Sequence, residues 1–315
     1  MGLKQLHITL FLGAIVLFIS CDKVEQPNKY HTKNVVVIVV DGLRNDEGWG
    51  DPLHQYIPHL KTDLAPEGVV LKNFRNNGPT YTNAGHTAIL TGHYQTINNA
   101  GIEKPFYPNY LNYWRKNKNQ PKTSAWFITS KDKIQTLGDY QENGSDWEGD
   151  YLPSFDCGIN GFGYGYRADS ITVQHVLDTM ERYKPTLVFI NLREPDFTAH
   201  TGNWENYLAA ITQVDKDYYA IWQYLQNSAH YKNNTTLFIT NDHGRHTDEY
   251  GGFANHGDNC EGCRHINLFA YGPDFKKNVI LENAYEQIDI SKTISELLQL
   301  NMQTSDGKVM EDLFK

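Results

Sequence analysis

The chain lacks the excess of positive charge that nucleic-acid-binding proteins usually carry. Its 315 residues include 28 Lys and Arg against 37 Asp and Glu, which gives a formal net charge of -9. This balance argues against nucleic acid as the main partner. Internal repeats, low-complexity tracts and long charge runs are also missing. Hydrophobic residues make up 40% of the chain, which is enough to bury a sizeable core in one large domain or two.

The apolar run near the start, at residues 8–19, is too short for a comfortable transmembrane helix. With one preceding lysine and a following Ser20-Cys21, it has the form of an export signal. The ending LFISC resembles the lipobox of bacterial lipoproteins, which implies cleavage before Cys21 and acylation of its thiol. An uncleaved anchor helix is the alternative. We therefore expect a signal peptide at residues 1–20, a polar tether at 21–33 and a single folded domain at 34–315. This arrangement would anchor the protein by lipid to a bacterial membrane, on the periplasmic or cell-surface side.

Cysteine is scarce, with four residues in the whole chain. If Cys21 is acylated, Cys157, Cys260 and Cys263 remain. The last two form a CxxC that could be half of a zinc knuckle, but no second CxxC completes one. In an exported protein the spacing favours a local disulfide, with Cys157 left free.

Buried-strand candidates alternate with segments of helical spacing. The strand candidates are continuous apolar runs at residues 34–40, 124–129, 186–192 and 235–241. The helical segments are at residues 107–118, 168–183 and 204–227. This order predicts an α/β sandwich with a mostly parallel central sheet flanked by helices.

Metal-binding residue types follow three of these four strands, where ligands of open α/β sheets usually collect. Asp41 follows the first strand, the segment REPDFTAH with Asp196 and His200 follows the third, and Asp242-His243 follows the fourth. His256 lies further along. This mix of oxygen and nitrogen donors suits zinc, in two ions about 4 Å apart rather than one. Taken singly, each residue has another explanation, such as a helix cap for Asp196.

The stretch GPTYTNAGHTAILTG begins like a loop and ends like a helix. It predicts a helix over residues 83–90 with Thr82 at its start, near free backbone amides and the positive end of the helix dipole. An anion would bind there. Coordination to a dication can activate a threonine hydroxyl as a nucleophile. The alternative is that Thr82 is only an N-cap.

Together these motifs resemble the alkaline phosphatase superfamily, in particular its type I phosphodiesterase/nucleotide pyrophosphatase branch. The matching pieces are VVDGLRND, PTYTNAGHTAILTG, EPDFTAH, TNDHG and NHGDN. They occur in the family's order and extend over nearly the whole chain after the tether. The resemblance implies two divalent ions, with zinc favoured. It implies that one is held by Asp41, Asp242, His243 and the Thr82 oxygen, and the other by Asp196, His200 and His256.

The resemblance also implies a catalytic domain over residues 34–315 that hydrolyses phosphoesters. Thr82 would attack phosphorus in line, and water would hydrolyse the phosphothreonine. The backbone amide of Asn83 would bind a non-bridging oxygen, and the side chain of Asn98 or Asn99 would add a donor. His86 is expected to be a structural hydrogen-bonding residue rather than a ligand.

The segment TSKDKI carries Lys131 and Lys133 just after the second predicted strand. It resembles the lysine-containing loops of phosphate-irrepressible alkaline phosphatases and phosphonoacetate hydrolases. Two lysines there would suit the dianion of a phosphomonoester, unless they are simply solvated. A phosphodiesterase or nucleotide pyrophosphatase and a phosphonate hydrolase are the alternatives, and a lipid-anchored binding protein on the same scaffold is a non-enzymatic one. The sulfatase motif C/S-x-P-x-R is absent from the sequence. The expected partner is a small phosphorylated substrate.

Overall fold

A computed structural model describes residues 1–2, 28–141, 147, 151–258 and 260–315. Within these residues, nine strands form a single mixed sheet. The strands are β1 (Asn34–Val40), β2 (Val69–Arg75), β3 (Ala125–Thr129), β4 (Ser154–Cys157), β5 (Leu187–Leu192), β6 (Thr235–Asn241), β7 (His265–Tyr271), β8 (Val279–Leu281) and β9 (Tyr285–Glu286). Their order across the sheet is β4-β3-β5-β1-β6-β7-β2-β8, with β9 also beside β2.

Five adjacent strands, from β4 to β6, are parallel to one another. β7 is antiparallel to both β6 and β2 and joins this parallel half to the smaller remainder of the sheet. Val40 pairs with Leu192 on one side and with Asn241 on the other, so three strands end at the same level. Because their carboxyl ends share one edge, the residues that follow them lie side by side.

Helices cover both faces of the sheet. They are α1 (Thr82–Thr91), α2 (Tyr110–Asn117), α3 (Asp169–Tyr183), α4 (Asp196–Ala199), α5 (Trp204–Asn227), α6 (Glu261–Arg264) and α7 (Ile288–Leu298). Side chains of β1 alternate between two cores because successive strand residues point to opposite faces. Val35, Val37 and Val39 face the core that contains residues of α1, α2 and α7. The intervening β1 residues face the core that contains residues of α3 and α5.

This architecture confirms the predicted α/β sandwich with a mostly parallel central sheet. All four predicted strands are present, and two of them, β1 and β6, have the predicted bounds. The helix that contains the TNAGHT segment begins at Thr82, one residue earlier than expected. The apolar runs sufficed here because parallel strands buried on both faces carry little polar sequence.

Residues 28–33, which the sequence assigned to the tether, contact the folded domain. The backbone amides of His31 and Thr32 each donate a 2.8 Å hydrogen bond to the Asp274 carboxylate. The hydroxyl of Tyr30 donates to Glu296 at 2.9 Å. The ordered domain therefore extends on the N-terminal side of Asn34. The expected signal peptide and Cys21 lie outside the described residues. Within the part of the chain that the structure describes, no helix combines the length and apolarity needed to cross a bilayer.

Candidate active site

Asp41 joins the ends of β1 and β5. Its backbone amide donates to the Leu192 carbonyl at 3.0 Å, and its carbonyl accepts from the Asp196 amide at 3.1 Å. The next residue, Gly42, has φ of +63°, and a Cβ there would lie 2.8 Å from both Arg245 Nη1 and Asp196 Cβ. Glycine therefore fits this turn for both conformational and steric reasons. The turn brings the two carboxylates together.

Asp242 and His243 follow β6 directly, and both are fully buried. Oδ1 of Asp242 accepts hydrogen bonds from the amides of Gly42 at 3.0 Å and His243 at 2.9 Å. The His243 Nδ1 atom lies 2.9 Å from the Gly244 carbonyl, which makes it the donor nitrogen. The opposite atoms, Asp242 Oδ2 and His243 Nε2, consequently face each other at 3.4 Å.

Asp196, His200 and His256 converge from two segments of the chain. Asp196 is the first residue of α4, and His200 follows that helix directly. The His200 and His256 Nε2 atoms lie 3.2 Å and 3.4 Å from Asp196 Oδ1 and 3.3 Å from each other. The His256 ring also stacks on that of His243, with centroids 3.9 Å apart. The two expected ligand groups therefore share one site.

Two groups of donor atoms at this site are close enough to hold an ion. Asp196, His243 and His256 form one, and Asp41, Asp242 and His243 form the other, each with its donor atoms within 4.8 Å of one another. His243 belongs to both groups, whereas the sequence assigned it to one. Among the described residues, Asp242 Oδ2 and His243 Nε2 are buried polar atoms without a hydrogen-bond partner, and Asp41 Oδ1 is a buried oxygen whose close contact is the Lys131 ammonium. Buried atoms of this kind usually have a partner, and carboxylate oxygen with imidazole nitrogen suits a divalent cation such as zinc.

The protonation of these groups also fits metal ligation. Burial lowers the pKa of His243, and burial and the neighbouring His243 lower the pKa of His256 to about 2. Both imidazoles are therefore neutral, as a ligand must be. Burial alone would raise the pKa of Asp196, but the charge of Lys131, a hydrogen bond from His200 and the charge of Arg245 bring it well below its usual range. Asp196 is consequently a carboxylate.

Lys131 lies among the carboxylates of the site and is not a solvent-exposed residue at its edge. Its ammonium is 2.7 Å from Asp196 Oδ2, 2.9 Å from Asp41 Oδ1 and 3.4 Å from the Thr82 hydroxyl. The side chain is only 2% exposed. Burial alone would lower its pKa, but the surrounding carboxylates raise it above the ordinary value. Lys131 is therefore charged and close to the candidate nucleophile.

Lys133 differs from Lys131 in its partners. Its ammonium makes no ion pair with a carboxylate in the described parts of the chain. Burial and the charge of Lys131 lower its pKa, and the carboxylates of the site act against this change. Lys133 is thus a poorly compensated cation within electrostatic range of the site, which is favourable for an anion.

Thr82 is the first residue of α1 and is 2% exposed. The N-cap is Tyr81, and the helix start has no side-chain cap hydrogen bond. The N-cap alternative for Thr82 therefore does not describe this helix. A Cβ on Gly85 would lie 2.2 Å from the Asp242 carbonyl, so α1 approaches the end of β6 as only glycine permits. This contact holds the start of α1 against the metal-ligand groups.

The amide of Asn83 has a partner that the sequence did not reveal. It donates a 3.0 Å hydrogen bond to the side-chain oxygen of Asn99. The Asn83 side chain donates in turn to the backbone carbonyl of Asn98 at 2.9 Å. Asn99 Oδ1 thus occupies the place where an anion oxygen was expected at the helix start, and such an anion would have to replace it. Asn98 contacts Asn83 through its backbone only.

The sequence did not single out Arg245 or Asn191 as site residues. Arg245 is completely buried, with Nη1 2.5 Å from Asp196 Oδ1 and Nη2 2.9 Å from the Ala254 carbonyl. Asn191, in β5, donates to Asp41 at 3.2 Å and lies 3.0 Å from His86 Nε2. His86 has no exposure, and its Nδ1 lies 2.8 Å from the Thr82 carbonyl. Arg245 lies in the segment DHGR and Asn191 in INL, so both are close in sequence to strand ends. Their contacts with Asp196 and Asp41 form only when the strands pair, and the sequence therefore did not show them.

Cys157, Cys260 and Cys263 are free thiols in the structure. This differs from the disulfide that the CxxC spacing favoured, whereas Cys157 is free as expected. The backbone amide of Cys263 donates to Cys260 Sγ at 3.4 Å. This N–H···S contact forms because Cys260 is the N-cap of α6, so the short helix orients one sulfur toward the amide of the other residue.

The parallel sheet, the carboxylates and imidazoles at its carboxyl edge, and a threonine at a helix start agree with the alkaline phosphatase superfamily. The sequence model of the type I phosphodiesterase/nucleotide pyrophosphatase family matches residues 35–255, more than half of the chain. The chain therefore belongs to that family, whose members are metal-dependent. No curated protein matches the chain in sequence.

Similar solved structures share this fold. Murine ectonucleotide pyrophosphatase/phosphodiesterase 5 superposes with a TM-score of 0.63 at 17% identity, over 90% of this chain and all of the other (100%). An inactive variant of that protein in complex with AMP gives the same TM-score of 0.63 at 16% identity, over 90% of this chain and 100% of the other. The phosphonate monoester hydrolase of Silicibacter pomeroyi gives 0.61 at 16% identity, over 89% of this chain and 76% of the other.

Proposed function

We propose that the chain hydrolyses small phosphoesters with Thr82 as the nucleophile, at a site that holds two divalent ions. The observation that carries this proposal is the position of Thr82 Oγ1 at the start of α1, 3.4 Å from the ammonium of Lys131, which itself contacts Asp41 and Asp196. A hydroxyl beside a buried cation and two metal-ligand groups is suited to attack on phosphorus. Family membership supports the same reaction type.

The chain supplies the ligands of both ions. Asp41, Asp242 and His243 would hold one with Thr82, and Asp196, His200 and His256 would hold the other. Zinc bound there would act as a Lewis acid toward the phosphoryl oxygens and lower the pKa of an attacking hydroxyl.

The surrounding groups favour negative charge at Thr82. Lys131 donates toward its oxygen, and the positive end of the α1 dipole points at the same place. In-line attack of Oγ1 on phosphorus forms the Thr82–phosphate bond and breaks the bond to the leaving oxygen, while the hydroxyl proton of Thr82 passes to solvent and the leaving oxygen departs as an anion or takes up a solvent proton. Water then hydrolyses the phosphothreonine, which releases phosphate and restores the hydroxyl.

We infer that phosphomonoesters are the preferred substrates. A monoester carries one more negative charge than a diester and gains more from an uncompensated cation. Lys133 is such a cation, since its lowered pKa reflects burial and the charge of Lys131 without a carboxylate partner of its own. Asn83 and Asn99 at the start of α1 would contact the same phosphoryl group once Asn99 gives up the Asn83 amide.

The test compares turnover of p-nitrophenyl phosphate and bis-p-nitrophenyl phosphate in the wild type and in Thr82→Ala. We expect Thr82→Ala to lose about three orders of magnitude or more in kcat, because removal of a nucleophile abolishes the covalent route. Thr91→Ala is the matched control, since Thr91 is a buried threonine at the other end of the same helix. Phosphate labelling of Thr82 on brief incubation with substrate would support the covalent step. Undiminished turnover in Thr82→Ala would refute it.

A phosphodiesterase is the second candidate, supported by the family model and by the rim of the site. The Tyr166 ring, in the loop at residues 158–168, has its centroid 5.9 Å from the Lys131 ammonium. This ring would contact an organic substituent on phosphorus. A higher kcat/KM for the bis-ester than for the monoester would favour this candidate.

We also propose that the chain is exported and anchored by lipid at Cys21. The support is the lipobox-like sequence that ends at this residue. Metabolic labelling with a fatty acid should modify the wild type and spare Cys21→Ala. Labelling of both proteins would contradict the assignment.

A further inference from the structure

A second group of metal-binding side chains lies in the segment that joins β6 to β7, and it shares no residue with the two groups near Thr82. One donor atom from each of four residues lies within 4.8 Å of the others. We propose that these residues bind a structural zinc ion: His246, Asp258, Cys260 and Cys263.

The spacing of the donors suits one tetrahedral ion. With zinc-sulfur bonds of about 2.3 Å and zinc-nitrogen bonds of about 2.0 Å, neighbouring ligand atoms of a tetrahedron lie about 3.3 to 3.8 Å apart. His246 Nε2 and Asp258 Oδ2 are already separated by only 3.1 Å. The remaining distances need only small adjustments to close around an ion. Two thiolates, an imidazole and a carboxylate form a donor set that zinc accepts readily.

His246 provides an independent sign of a ligand. Its Nε2 atom is buried and has no hydrogen-bond partner among the described residues, although the Asp258 carboxylate is close. With a disulfide between Cys260 and Cys263, this nitrogen would face only the Asp258 carboxylate. A zinc ion would use it.

The backbone around the cysteines is arranged as a metal-binding turn. Cys260 Sγ accepts the Cys263 amide at 3.4 Å, and the amide of Cys260 donates to Asp258 Oδ1 at 2.9 Å. These contacts fix the orientation of a sulfur and of the carboxylate before an ion binds. Binding would release the two thiol protons to solvent and form two zinc-thiolate bonds, with no change in oxidation state.

This ion would hold the active-site loop in place. The ligands come from both ends of the β6–β7 segment, so the ion closes a loop that contains His256. The loop is attached to the nucleophile segment as well, because the Asp258 carbonyl accepts the Thr80 hydroxyl at 2.5 Å and His256 Nδ1 lies 3.0 Å from the Thr80 carbonyl. Zinc bound by His246, Asp258, Cys260 and Cys263 would therefore position His256 without contacting the substrate.

The decisive measurement is zinc-edge X-ray absorption on full-length protein carrying His243→Ala, which removes the donor that the two groups near Thr82 share. We expect a zinc-sulfur shell at about 2.3 Å with about two sulfur neighbours. An absorption spectrum without sulfur neighbours would overturn the proposal. This test uses the native cysteines, so it remains informative if the cysteine variants fail to fold.

Metal content provides a second test, by plasma mass spectrometry after dialysis in metal-free buffer. Cys260→Ser combined with Cys263→Ser should lower bound zinc by one equivalent, whereas Cys157→Ser should leave it unchanged. Cys157 is the matched control because it is a buried free thiol in β4 that contacts the Phe127 carbonyl. Unchanged zinc in the double variant would contradict the site.

Alkylation without reductant distinguishes zinc from a disulfide. If zinc is bound, both thiols should react after the protein is unfolded with a chelator. A chain that stays unreactive at Cys260 and Cys263, with a mass lower by two hydrogens, would show a disulfide and refute the zinc site. Neither result bears on Thr82, so this proposal and the proposed function can fail separately.

Discussion

The ammonium of Lys131 lies 2.7 Å from Oδ2 of Asp196, and both side chains are almost completely buried. The same ammonium is 2.9 Å from Oδ1 of Asp41. The buried ammonium reduces the electrostatic repulsion between these two carboxylates. Bound divalent ions would reduce the same repulsion. The contribution of Lys131 to stability should consequently depend on whether metal is present.

Lys131→Met should destabilise the chelator-treated protein by about 3 to 5 kcal/mol, because it leaves the buried Asp41 carboxylate without a cation. The loss should be smaller with saturating zinc, since the ions then compensate the carboxylates. Urea unfolding with and without chelator measures both values. Lys277→Met is the control: it breaks an exposed pair with Glu67, and such pairs contribute about 1 kcal/mol or less. Equal losses in the two conditions would show that Lys131 does not substitute for metal.

Asp196→Ala and His256→Ala should each lower the zinc content, because both remove a donor from the same group. Thr82→Ala should keep nearly all of it while losing turnover, since the other ligands remain. Metal analysis and activity assays on the same preparations separate the two effects. His175→Ala is the control because it breaks a histidine–aspartate pair, with Asp156, that belongs to neither group. Full zinc content in both ligand variants would contradict the assignment.

Lys133→Met should lower kcat/KM for a phosphomonoester about tenfold to a hundredfold, the usual effect of losing a hydrogen bond to a charged group. The effect on a diester should be smaller, because the diester has less charge. The ratio of the two losses is the measurement. If the variant impairs both substrates equally, Lys133 does not select for the dianion.

Stability should vary with pH through Asp169. Burial raises the pKa of this carboxyl to about 6 from its ordinary 3.8, although Ser130 and two backbone amides donate to it. The folded protein therefore binds the proton of Asp169 more tightly than the unfolded chain does. This protonation stabilises the folded state fully below pH 3.8, and the stabilisation is lost as the pH rises through 6. A shift of this size corresponds to about 2 to 3 kcal/mol.

Asp169→Asn should remove that dependence, because an amide does not titrate. The difference in unfolding free energy between wild type and variant should change by this amount across the acidic range, as measured by urea unfolding at a series of pH values. Parallel curves for the two proteins would assign the titration to another group. Asp178→Asn, at an exposed carboxyl that accepts a hydrogen bond from Gln174, controls for the loss of a charge elsewhere.

The sequence predicted the fold well where one physical signal dominated. Continuous apolar runs located β1 and β6 because both are buried along their whole length. The pattern did not identify β2, which contains an exposed Lys72 and an irregular register against β7. A strand near the edge of a sheet has a weaker hydrophobic signal than a central one.

The sequence predicted which residues form the candidate site, but not which of their side chains contact one another. Strand-end positions indicated which carboxylates and histidines would meet, since that edge is common to the parallel strands. The partners of Lys131 and Arg245 depend on side-chain direction across different elements. Similarly, Asn83 and Asn99 are sixteen residues apart, and only the folded loop shows that one caps the amide of the other.

The strands β6 and β7 are immediate neighbours in the sheet, yet the chain travels from Asn241 to His265 between them. The hydrogen bonds between β6 and β7 thus fix both ends of this connecting segment, independently of its conformation. Insertions, deletions and substitutions in this connecting segment therefore need not change the register between β6 and β7. Divergence in metal requirement among proteins of this architecture should consequently concentrate there, while the framework beneath it stays constant.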